Sequence, residues 1–399
     1  MHRPFSVRGD YAPAVINGFF SLGTSAANFF LPLYFREQLG FSGTQIGALF
    51  AAQAIAGVLA VLPAGLGNDR VTSRSLVAVS LVVQALAFAA LATVRSFPVY
   101  LLVFFGWAVG FNLYRISLDV QLLKTDQGAG VERRALLYQF VRFGGLAIGT
   151  AGAGYVLVSI DFRGALIAMA IVCAALAFSA FALVPVRVAR VRLADYRADI
   201  SRPNVILFAG WFFLFATHWG AEYTCYGLFL RENLGLSLIQ IGWYMTGEFA
   251  AIVATLAVLL SRRVALLNGA VRRFAVAGLA LSGVGHIGMS VTGPLVSAAF
   301  RMIHGAGDGL IVVVLYLGLA RLFHVERAGG NTGFVNLAAM AGLVTGSLVT
   351  GPIGERYGYQ WPILASGFMI LALIVPLVLP KRERVDDSAR PLSSTAARS

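Results

Sequence analysis

Apolar residues occur along this chain in long runs that are separated by short polar and charged stretches. Examples are "AVINGFFSLGTSAANFFLPLYF" at 14–35, "LVAVSLVVQALAFAALATV" at 76–94 and "ALIAMAIVCAALAFSAFALVPV" at 165–186. Each run has about 20 residues, and a helix of that length spans roughly 30 Å of hydrocarbon. The runs lack the alternation of apolar and polar residues that membrane strands require. The pattern therefore predicts membrane-spanning helices, which satisfy their backbone hydrogen bonds internally.

The same pattern recurs along nearly the whole chain and predicts an all-α integral membrane protein with twelve transmembrane helices. The predicted segments are 12–35, 43–66, 74–94, 97–120, 135–158, 163–186, 204–229, 238–260, 271–291, 295–319, 331–352 and 360–380. The first segment is too long and too polar for a cleaved signal peptide, so we expect it in the mature protein.

The composition agrees with a membrane protein. Hydrophobic residues make up 58% of the chain, charged residues 12%, and the mean hydropathy is +0.78. Soluble proteins carry about 25% charged residues. Cys173 and Cys225 fall inside predicted helices and are interpreted as packing residues, and no Cys/His spacing indicates a structural metal or another cofactor.

The net charge of +13 is distributed unevenly between the predicted loops. Of the 31 lysines and arginines, 23 fall at the side that holds both chain termini, and only five fall at the other side, namely Arg36, Arg95, Arg163, Arg231 and Arg356. By the positive-inside rule this bias predicts a plasma (inner) membrane protein with both termini in the cytoplasm. The basic excess then contacts anionic lipid, and no nucleic-acid partner is expected.

Two sequence repeats relate the two halves of the chain. The string "REQLGFSGTQIG" at 36–47 returns as "RENLGLSLIQIG" at 231–242, an offset of 195 residues. Likewise "GLAIGTAGAG" at 145–154 resembles "GLVTGSLVTG" at 342–351, an offset of 197. The repeats predict two six-helix halves in the same orientation, with a binding site between them near the bilayer midplane.

These repeats define the expected domain organisation. An N-terminal half at 1–186 precedes a cytoplasmic linker at 187–203, a C-terminal half at 204–380 and a polar tail at 381–399 that is expected to be disordered. The linker is short, charged and partly amphipathic, and we expect it to lie on the lipid surface.

The loop between the second and third predicted helices reads "GLGNDRVTSR". Gly65, Asp69, Arg70 and Arg74 match motif A of the major facilitator superfamily, G-x-x-x-D-R/K-x-G-R/K-R/K, whereas Thr72 and Ser73 depart from it. With the twelve segments, the repeat and the charge bias, the chain resembles that superfamily of secondary transporters. The resemblance implies a gating role for these four residues, with Asp69 and Arg70 in a charged cytoplasmic latch.

The resemblance extends to two further motifs. The glycines of the fifth helix partly match motif C of drug/proton antiporters, although Thr150 stands where that motif has proline. Close helix packing is the other interpretation of these glycines. Arg115 resembles the membrane-embedded arginine of motif B.

The resemblance also implies that helices one, four, seven and ten line a central cavity. Each of them carries polar residues at helical spacing. The candidate substrate-cavity residues, with Arg142 from helix five, are Asn17, Asn28, Asn112, Arg115, Arg142, His218, Trp219, Glu222, Tyr223, Arg301, His304 and Asp308.

Ionisable residues inside a membrane are functional candidates by default, because an unpaired charge there is costly. Glu222 and Asp308 are the first candidates for proton coupling, since each has a histidine one turn away, and Asp119 and Glu248 are the second. The alternative for each is a structural ion pair, and for Asp119 an intrahelical salt bridge with Arg115.

The chemistry of the solute stays open at this point. Arg115, Arg142 and Arg301 could receive an anionic group. Four acidic residues against three arginines leave the cavity near neutral, so the sign of the solute is not determined. The pairs His218/Glu222 and His304/Asp308 could instead bind a divalent transition metal if helices seven and ten face each other.

The leading hypothesis is a monomeric secondary transporter that moves a small organic solute by alternating access and is driven by protons. Export of a drug or metabolite is favoured, and the alternative is proton-coupled import of a nutrient, a metal chelate or a divalent metal. A non-transporting membrane sensor with the same fold is a third hypothesis. An enzyme is not expected, because the chain has no nucleophile with a convergent base and no phosphate-binding loop.

Overall fold

The computed structural model of the protein describes residues 11–125, 131–186, 193–261, 270–323 and 327–379. All regular secondary structure in these residues is helical. The predicted tail at 381–399 and residues 187–192 of the predicted linker lie outside the described residues.

The N-terminal half contains six helices. Helix α1 runs from 12 to 37 in three segments, Ala12–Thr24, Ala26–Phe29 and Leu31–Glu37, followed by α2 (Gly43–Arg70), α3 (Ser73–Thr93) and α4 (Phe97–Thr125). Helices α5 (131–160) and α6 (162–179) are the two parts of Val131–Ser179, which turns sharply at Asp161. The Asp161 carboxylate accepts a hydrogen bond from the Gly164 amide at 2.8 Å, as an N-cap residue does.

The C-terminal half repeats this arrangement after a linker helix at Leu193–Ile200. Helix α7 (Pro203–Ala221) continues through the wider π-helical turns Glu222–Tyr226 and Phe229–Asn233. The remaining helices are α8 (Leu238–Ser261), α9 (Ala270–Ser290), α10 (Pro294–Leu322), α11 (Ala328–Tyr357) and α12 (Gln360–Ala372), which is extended by a short turn at Val375–Val378.

The described chain thus contains twelve numbered helices besides the short linker helix. Nine helical stretches of the described residues are long and apolar enough to span a membrane, and one of them, Arg133–Ala182, contains both α5 and α6. The first predicted segment, 12–35, forms α1, whose regular helical pattern is interrupted at Ser25 and Phe30. Pro32 at the start of the third segment lacks the amide hydrogen that a continuous helix would need.

The duplicated string forms the same turn in both halves. Gly40 and Gly235 adopt left-handed conformations with φ of 66° and 65°, which glycine tolerates best. After each glycine a serine begins the next helix with a reciprocal capping box, Ser42 with Gln45 and Ser237 with Gln240. The string is therefore conserved between the halves because it encodes one helix stop and one helix start.

The second repeat lets the helices within each half approach closely. A Cβ atom at Gly145 of α5 would collide with the Gly18 backbone of α1, and one at Gly342 of α11 would collide with the Phe213 backbone of α7. Helices α1 and α5 therefore pack as α7 and α11 do. Close helix packing explains why glycine occupies these positions.

The halves meet along two helix pairs. Gly65 of α2 lies against Gly329 and Gly333 of α11, near the end of the bundle at which α1 begins and α12 ends, here called the terminal end. Gly154 of α5 lies against Ile239 of α8 near the opposite end. These contacts hold the two halves side by side around a central space.

Candidate functional site

A cavity of about 240 Å³ lies between the halves. It is lined by α1, α2, α4 and α5 from one half and by α7, α8, α10 and α11 from the other. Most of the predicted site residues line it, namely Asn17, Asn112, Arg115, Arg142, Trp219, Glu222, Tyr223 and Asp308, together with the predicted proton-coupling residues Asp119 and Glu248. Phe20, Phe111 and Phe212 add an aromatic surface.

Three predicted cavity residues do not line the cavity but lie behind the residues that do. His218, Arg301 and His304 have no exposed surface and belong to a buried network in the C-terminal half. The side chain of the remaining candidate, Asn28, lies outside the part of the chain that the structure describes.

Arg301 of α10 is the centre of the buried network. Its guanidinium group donates one hydrogen bond to Glu222 of α7 and another to Glu248 of α8. The ring of Tyr226 stacks on the same group, with its centroid 4.2 Å from the guanidinium carbon. One cation therefore connects three helices and is shared by two carboxylates.

Three imidazoles surround the Glu222 and Asp308 carboxylates. Nε2 atoms of His286 and His304 each lie 3.3 Å from Glu222 Oε1, and His304 Nε2 also lies 3.5 Å from Asp308 Oδ2. The Nε2 atom of His218 lies 3.8 Å from Asp308 Oδ2.

The opposite ring nitrogen of each imidazole has an oxygen partner. His218 Nδ1 lies 2.5 Å from the Phe215 carbonyl oxygen, His286 Nδ1 lies 2.7 Å from Ser366 Oγ, and His304 Nδ1 lies 3.0 Å from Ser282 Oγ. Because a carbonyl oxygen only accepts, His218 Nδ1 carries a hydrogen. The three rings are therefore oriented so that their Nε2 atoms converge on the carboxylates.

Sequence reasoning missed His286. It lies in α9, a helix that the resemblance does not place at the cavity, and no other ionisable residue is at helical spacing around it. A histidine in an otherwise apolar span was the available signal.

The N-terminal half presents two arginines to the cavity. Arg115 Nη2 donates to Asn336 Oδ1 of α11 at 2.7 Å, and Arg142 Nη1 donates to Gln139 Oε1 at 3.4 Å. The predicted intrahelical salt bridge between Arg115 and Asp119 is not formed. The Asp119 carboxylate instead accepts hydrogen bonds from Tyr138 at 3.0 Å and from Tyr316 of the other half at 2.8 Å.

The sequence profile of the Major Facilitator Superfamily matches residues 14–229 and 211–398, which together cover nearly the whole chain. The chain belongs to the Major Facilitator Superfamily. It is an integral membrane transporter and not an enzyme.

Solved structures of Major Facilitator Superfamily members share the fold. The crystal structure of the human organic anion transporter MFSD10 (TETRAN) superposes with a TM-score of 0.73, at 14% identity, over 94% of this chain and 100% of that chain. The transporter FucP in the outward conformation superposes with a TM-score of 0.69, also at 14% identity, over 92% and 97% of the two chains. No curated protein sequence matches this chain.

Motif A of the superfamily lies where the halves meet at the terminal end. The Asp69 carboxylate pairs with Lys124 of α4 at 2.5 Å and accepts hydrogen bonds from the Gly329 and Gly330 amides of α11 at 3.3 and 2.8 Å. Negative charge is favourable at such a helix N-terminus. Arg74 lies over the Phe181 ring at 5.1 Å, whereas the exposed Arg70 forms no ion pair with a described residue.

The linker helix adds a second layer to this contact. Its Tyr196 hydroxyl donates to Asp69 Oδ2 at 2.6 Å, and its Asp199 carboxylate accepts from Arg327 Nε at 2.6 Å and from Asn331 Nδ2 at 2.9 Å. Thus part of the predicted linker is an ordered element that connects α2 to the start of α11.

The imidazoles also meet a distance criterion for a metal site. Ligand atoms of His218, His286 and His304 lie within 4.8 Å of one another, as do those of Glu222, Glu248 and His304. However, the Arg301 guanidinium already bonds to both glutamates, and a dication beside it would face like charge. We therefore assign no metal to this network.

Proposed function

We propose that the protein is a proton-coupled transporter that moves a small organic solute through the central cavity by alternating access. The proton-binding site is the network of the C-terminal half, and the solute site is the cavity wall that faces it. The protein resides in the plasma (inner) membrane with the terminal end in the cytoplasm, which the basic residues of that side support.

One observation carries the proton coupling, namely the charge balance of the buried network. Among the described residues of the network, Glu222, Glu248 and Asp308 contribute three negative charges, whereas Arg301 contributes the single permanent positive charge. A buried cluster with uncompensated charge is costly in a membrane protein. The network approaches neutrality when it binds two protons, and the three imidazoles provide places for them beside the carboxylates.

Alternating access would change this balance. Glu222, Glu248 and Asp308 all face the cavity, so its opening to either side hydrates them, whereas His286, His304 and Arg301 stay behind the wall. Hydration lowers the cost of separated charges. We propose that Glu222 and Asp308 release and recover protons on opposite sides, with Glu248 sharing the Arg301 charge.

Asp119 has a different proposed role. It faces the cavity from the N-terminal half and accepts the Tyr316 hydrogen bond from the C-terminal half. A carboxylate in this position can couple its protonation to the separation of α4 from α10. We therefore propose Asp119 as a proton-sensitive contact between the halves.

The gate at the terminal end consists of Gly65, Asp69 and the start of α11. The close backbone approach at Gly65 and the hydrogen bonds of Asp69 support this role, and Arg70 and Arg74 contribute charge at the same end. Opening toward the cytoplasm requires these contacts to separate.

The cavity volume bears on the kind of solute. At about 240 Å³ it falls below the roughly 300–1,000 Å³ of sites for drug-sized ligands. A metabolite-sized solute fits this volume better than the bulky amphipathic drug of the export hypothesis.

The test is transport by the purified protein in liposomes with a proton gradient imposed in either direction, over a panel of small acids, amides and amines. Wild type is expected to accumulate a solute only with the gradient. Asp308→Asn is expected to lose gradient-driven accumulation by at least tenfold but to keep exchange of labelled for unlabelled solute. Glu37→Gln, an acid-to-amide change in an exposed pair with Arg231, serves as the matched control.

Accumulation by wild type without a proton gradient would contradict the proposal. Equal loss of accumulation and exchange in Asp308→Asn would assign that residue to folding or solute binding instead. Inhibition by Zn²⁺ that requires His218, His286 and His304 would favour the divalent-metal alternative.

A further inference from the structure

The two cavity arginines of the N-terminal half lack acidic partners. Among the described residues, no carboxylate oxygen lies within 4.0 Å of the guanidinium nitrogens of Arg115 or Arg142. Their hydrogen-bond partners are the neutral amides of Asn336 and Gln139. In addition, Arg115 Nε is buried and has no hydrogen-bond partner. A guanidinium has five N–H donors, so most donors on these two groups have no hydrogen-bond partner among the described residues.

The acidic residues that line the cavity are, in contrast, already engaged. Glu222 and Glu248 share Arg301, Asp308 accepts from Ser282 at 2.8 Å, and Asp119 accepts from two tyrosines. A cationic solute would have to break these interactions. An anionic solute would bind to guanidinium donors that no described carboxylate contacts directly.

The two guanidiniums act on the same region of the cavity. Arg115 of α4 and Arg142 of α5 line the same cavity, together with Asp119 and Tyr223. A single anionic group between α4 and α5 can therefore be stabilised by both arginines. The remaining lining near it is aromatic, with Phe20, Phe111 and Trp219.

We propose that the transported solute is a small organic carboxylate whose charged group binds Arg115 and Arg142 and whose apolar body packs against the aromatic lining. This inference rests on the proposed function and specifies the chemical class of its solute. Arginine suits the role because its planar donors match a carboxylate in pairs.

The charge of the solute determines whether solute and proton cross the membrane in the same direction or in opposite directions. Protons that bind to the C-terminal network make the cavity more positive, and an anion bound to the arginines makes it more negative. The two ligands therefore favour each other's binding. Solute and proton then cross in the same direction, so an inward proton gradient drives import. The anion inference thus favours the import alternative over export.

The test uses three probes of nearly the same size and shape, benzoate, benzamide and benzylamine, which are anionic, neutral and cationic. Binding to the full-length protein in detergent micelles is measured by calorimetry at about pH 6. Wild type is expected to bind benzoate at least tenfold more tightly than either other probe. Arg115→Gln and Arg142→Gln are each expected to weaken benzoate binding at least tenfold and to weaken benzamide binding much less.

Arg356→Gln is the matched control, because Arg356 is exposed at the end of α11, where its guanidinium lies over the Tyr357 ring at 5.5 Å. Arg115→Lys tests the donor geometry, since it keeps the charge and removes the planar donor pair, and an intermediate loss of affinity is expected. Thermal unfolding of each variant establishes that it is folded.

Tighter binding of benzamide or benzylamine, no binding of benzoate, or equal loss in Arg356→Gln would each overturn the inference. The proposed function is judged separately by liposome transport. Proton-driven accumulation of an amide or amine would support proton coupling and contradict the inference that the solute is a carboxylate. Accumulation of a carboxylate without a proton gradient would support the inference that the solute is a carboxylate and contradict proton coupling.

Discussion

Arg115 of α4 donates a hydrogen bond to Asn336 of α11 at 2.7 Å, across the boundary between the two halves. One guanidinium group therefore faces the cavity and also helps to hold the halves together. A solute that binds to Arg115 competes with Asn336 for its donors. Solute binding and closure between α4 and α11 are coupled through this contact.

Asn336→Ala is expected to increase the affinity for a carboxylate, because it removes the competing acceptor. Hydrogen bonds to charged groups contribute about 1.5–3 kcal/mol, so an increase of at least about tenfold is expected. Calorimetric titration with benzoate measures it. Unchanged affinity would mean that Arg115 does not bind the solute directly. Asn233→Ala, which removes an exposed hydrogen bond to Gln360 outside the cavity, is the control.

Removal of a cavity arginine is expected to affect stability differently from removal of the network arginine. Arg115→Gln and Arg142→Gln remove charges that lack acidic partners, so the apparent Tm without ligand stays unchanged or rises. Arg301→Gln leaves two buried glutamates without their cation, which costs about 3–5 kcal/mol and lowers the Tm. Thermal unfolding in detergent compares the three variants. A large Tm decrease in the cavity variants would assign those arginines a structural role.

Substitution of two tyrosines, one at each end of the bundle, is expected to shift the equilibrium between opening at the two ends in opposite directions. Tyr196→Phe removes the hydrogen bond to Asp69 at the terminal end, and Tyr155→Phe removes an acceptor of the Trp243 indole near the opposite end, at 3.1 Å. The hydrogen bond between Trp243 and Tyr155 joins neutral groups and contributes about 1 kcal/mol, so its loss shifts the conformational equilibrium about fivefold. The hydrogen bond from Tyr196 to the Asp69 carboxylate contributes about 1.5–3 kcal/mol, so its loss shifts the equilibrium at least about tenfold.

The measurement is alkylation of a cysteine introduced at Ala64, which is buried between α2, α4 and α11, in a background without Cys173 and Cys225. We expect faster alkylation in Tyr196→Phe and slower alkylation in Tyr155→Phe. An alkylation rate that changes in the same direction in both variants would contradict the idea that the two contacts hold opposite ends of the bundle closed.

Asp199 is expected to make stability at the linker helix depend on pH. Burial raises its pKa, but hydrogen bonds from Arg327 and Asn331 outweigh this and hold the pKa below the ordinary value of 3.8. A group with a lowered pKa in the folded state stabilises the protein above its unfolded pKa, and this contribution is lost as the pH falls through the folded pKa. The Tm difference between wild type and Asp199→Asn should therefore be present at pH 7 and shrink below about pH 4. A difference that is the same at both pH values would exclude this linkage.

The stability of the duplicated turn is expected to depend on the left-handed backbone conformation of its glycine. Gly235→Ala places a Cβ in open space but forces alanine to a φ of +65°, which costs about 1–2 kcal/mol. Gly210→Ala in the helical part of α7 also meets open space and should instead stabilise the protein by about 0.5–1 kcal/mol. Unfolding midpoints measured side by side test the opposite signs, and a loss in both variants would point to packing instead of backbone strain.

The sequence by itself determined the features that depend on local or periodic information. Twelve helices follow from apolar runs of membrane length, and the repeated turns follow from a glycine, a serine and a glutamine at fixed spacing. Helical spacing also placed Asp308 beside His304, because residues four apart share one face. The same spacing did not give Glu222 its partners, which are His286 and His304 and not His218. Such relations involve one helix or one loop and need no knowledge of neighbouring helices.

Only the tertiary structure decided which charges are partners. Arg115 and Asp119 have the spacing for a salt bridge, yet Asp119 is held by Tyr138 and Tyr316, and Arg115 bonds to Asn336, 221 residues away. His286 joins the network only because α9 packs against α10 and α12. The reason is physical: in a medium without water a buried charge takes whichever partner the packing of helices brings within reach, and sequence spacing describes only the partners on its own helix.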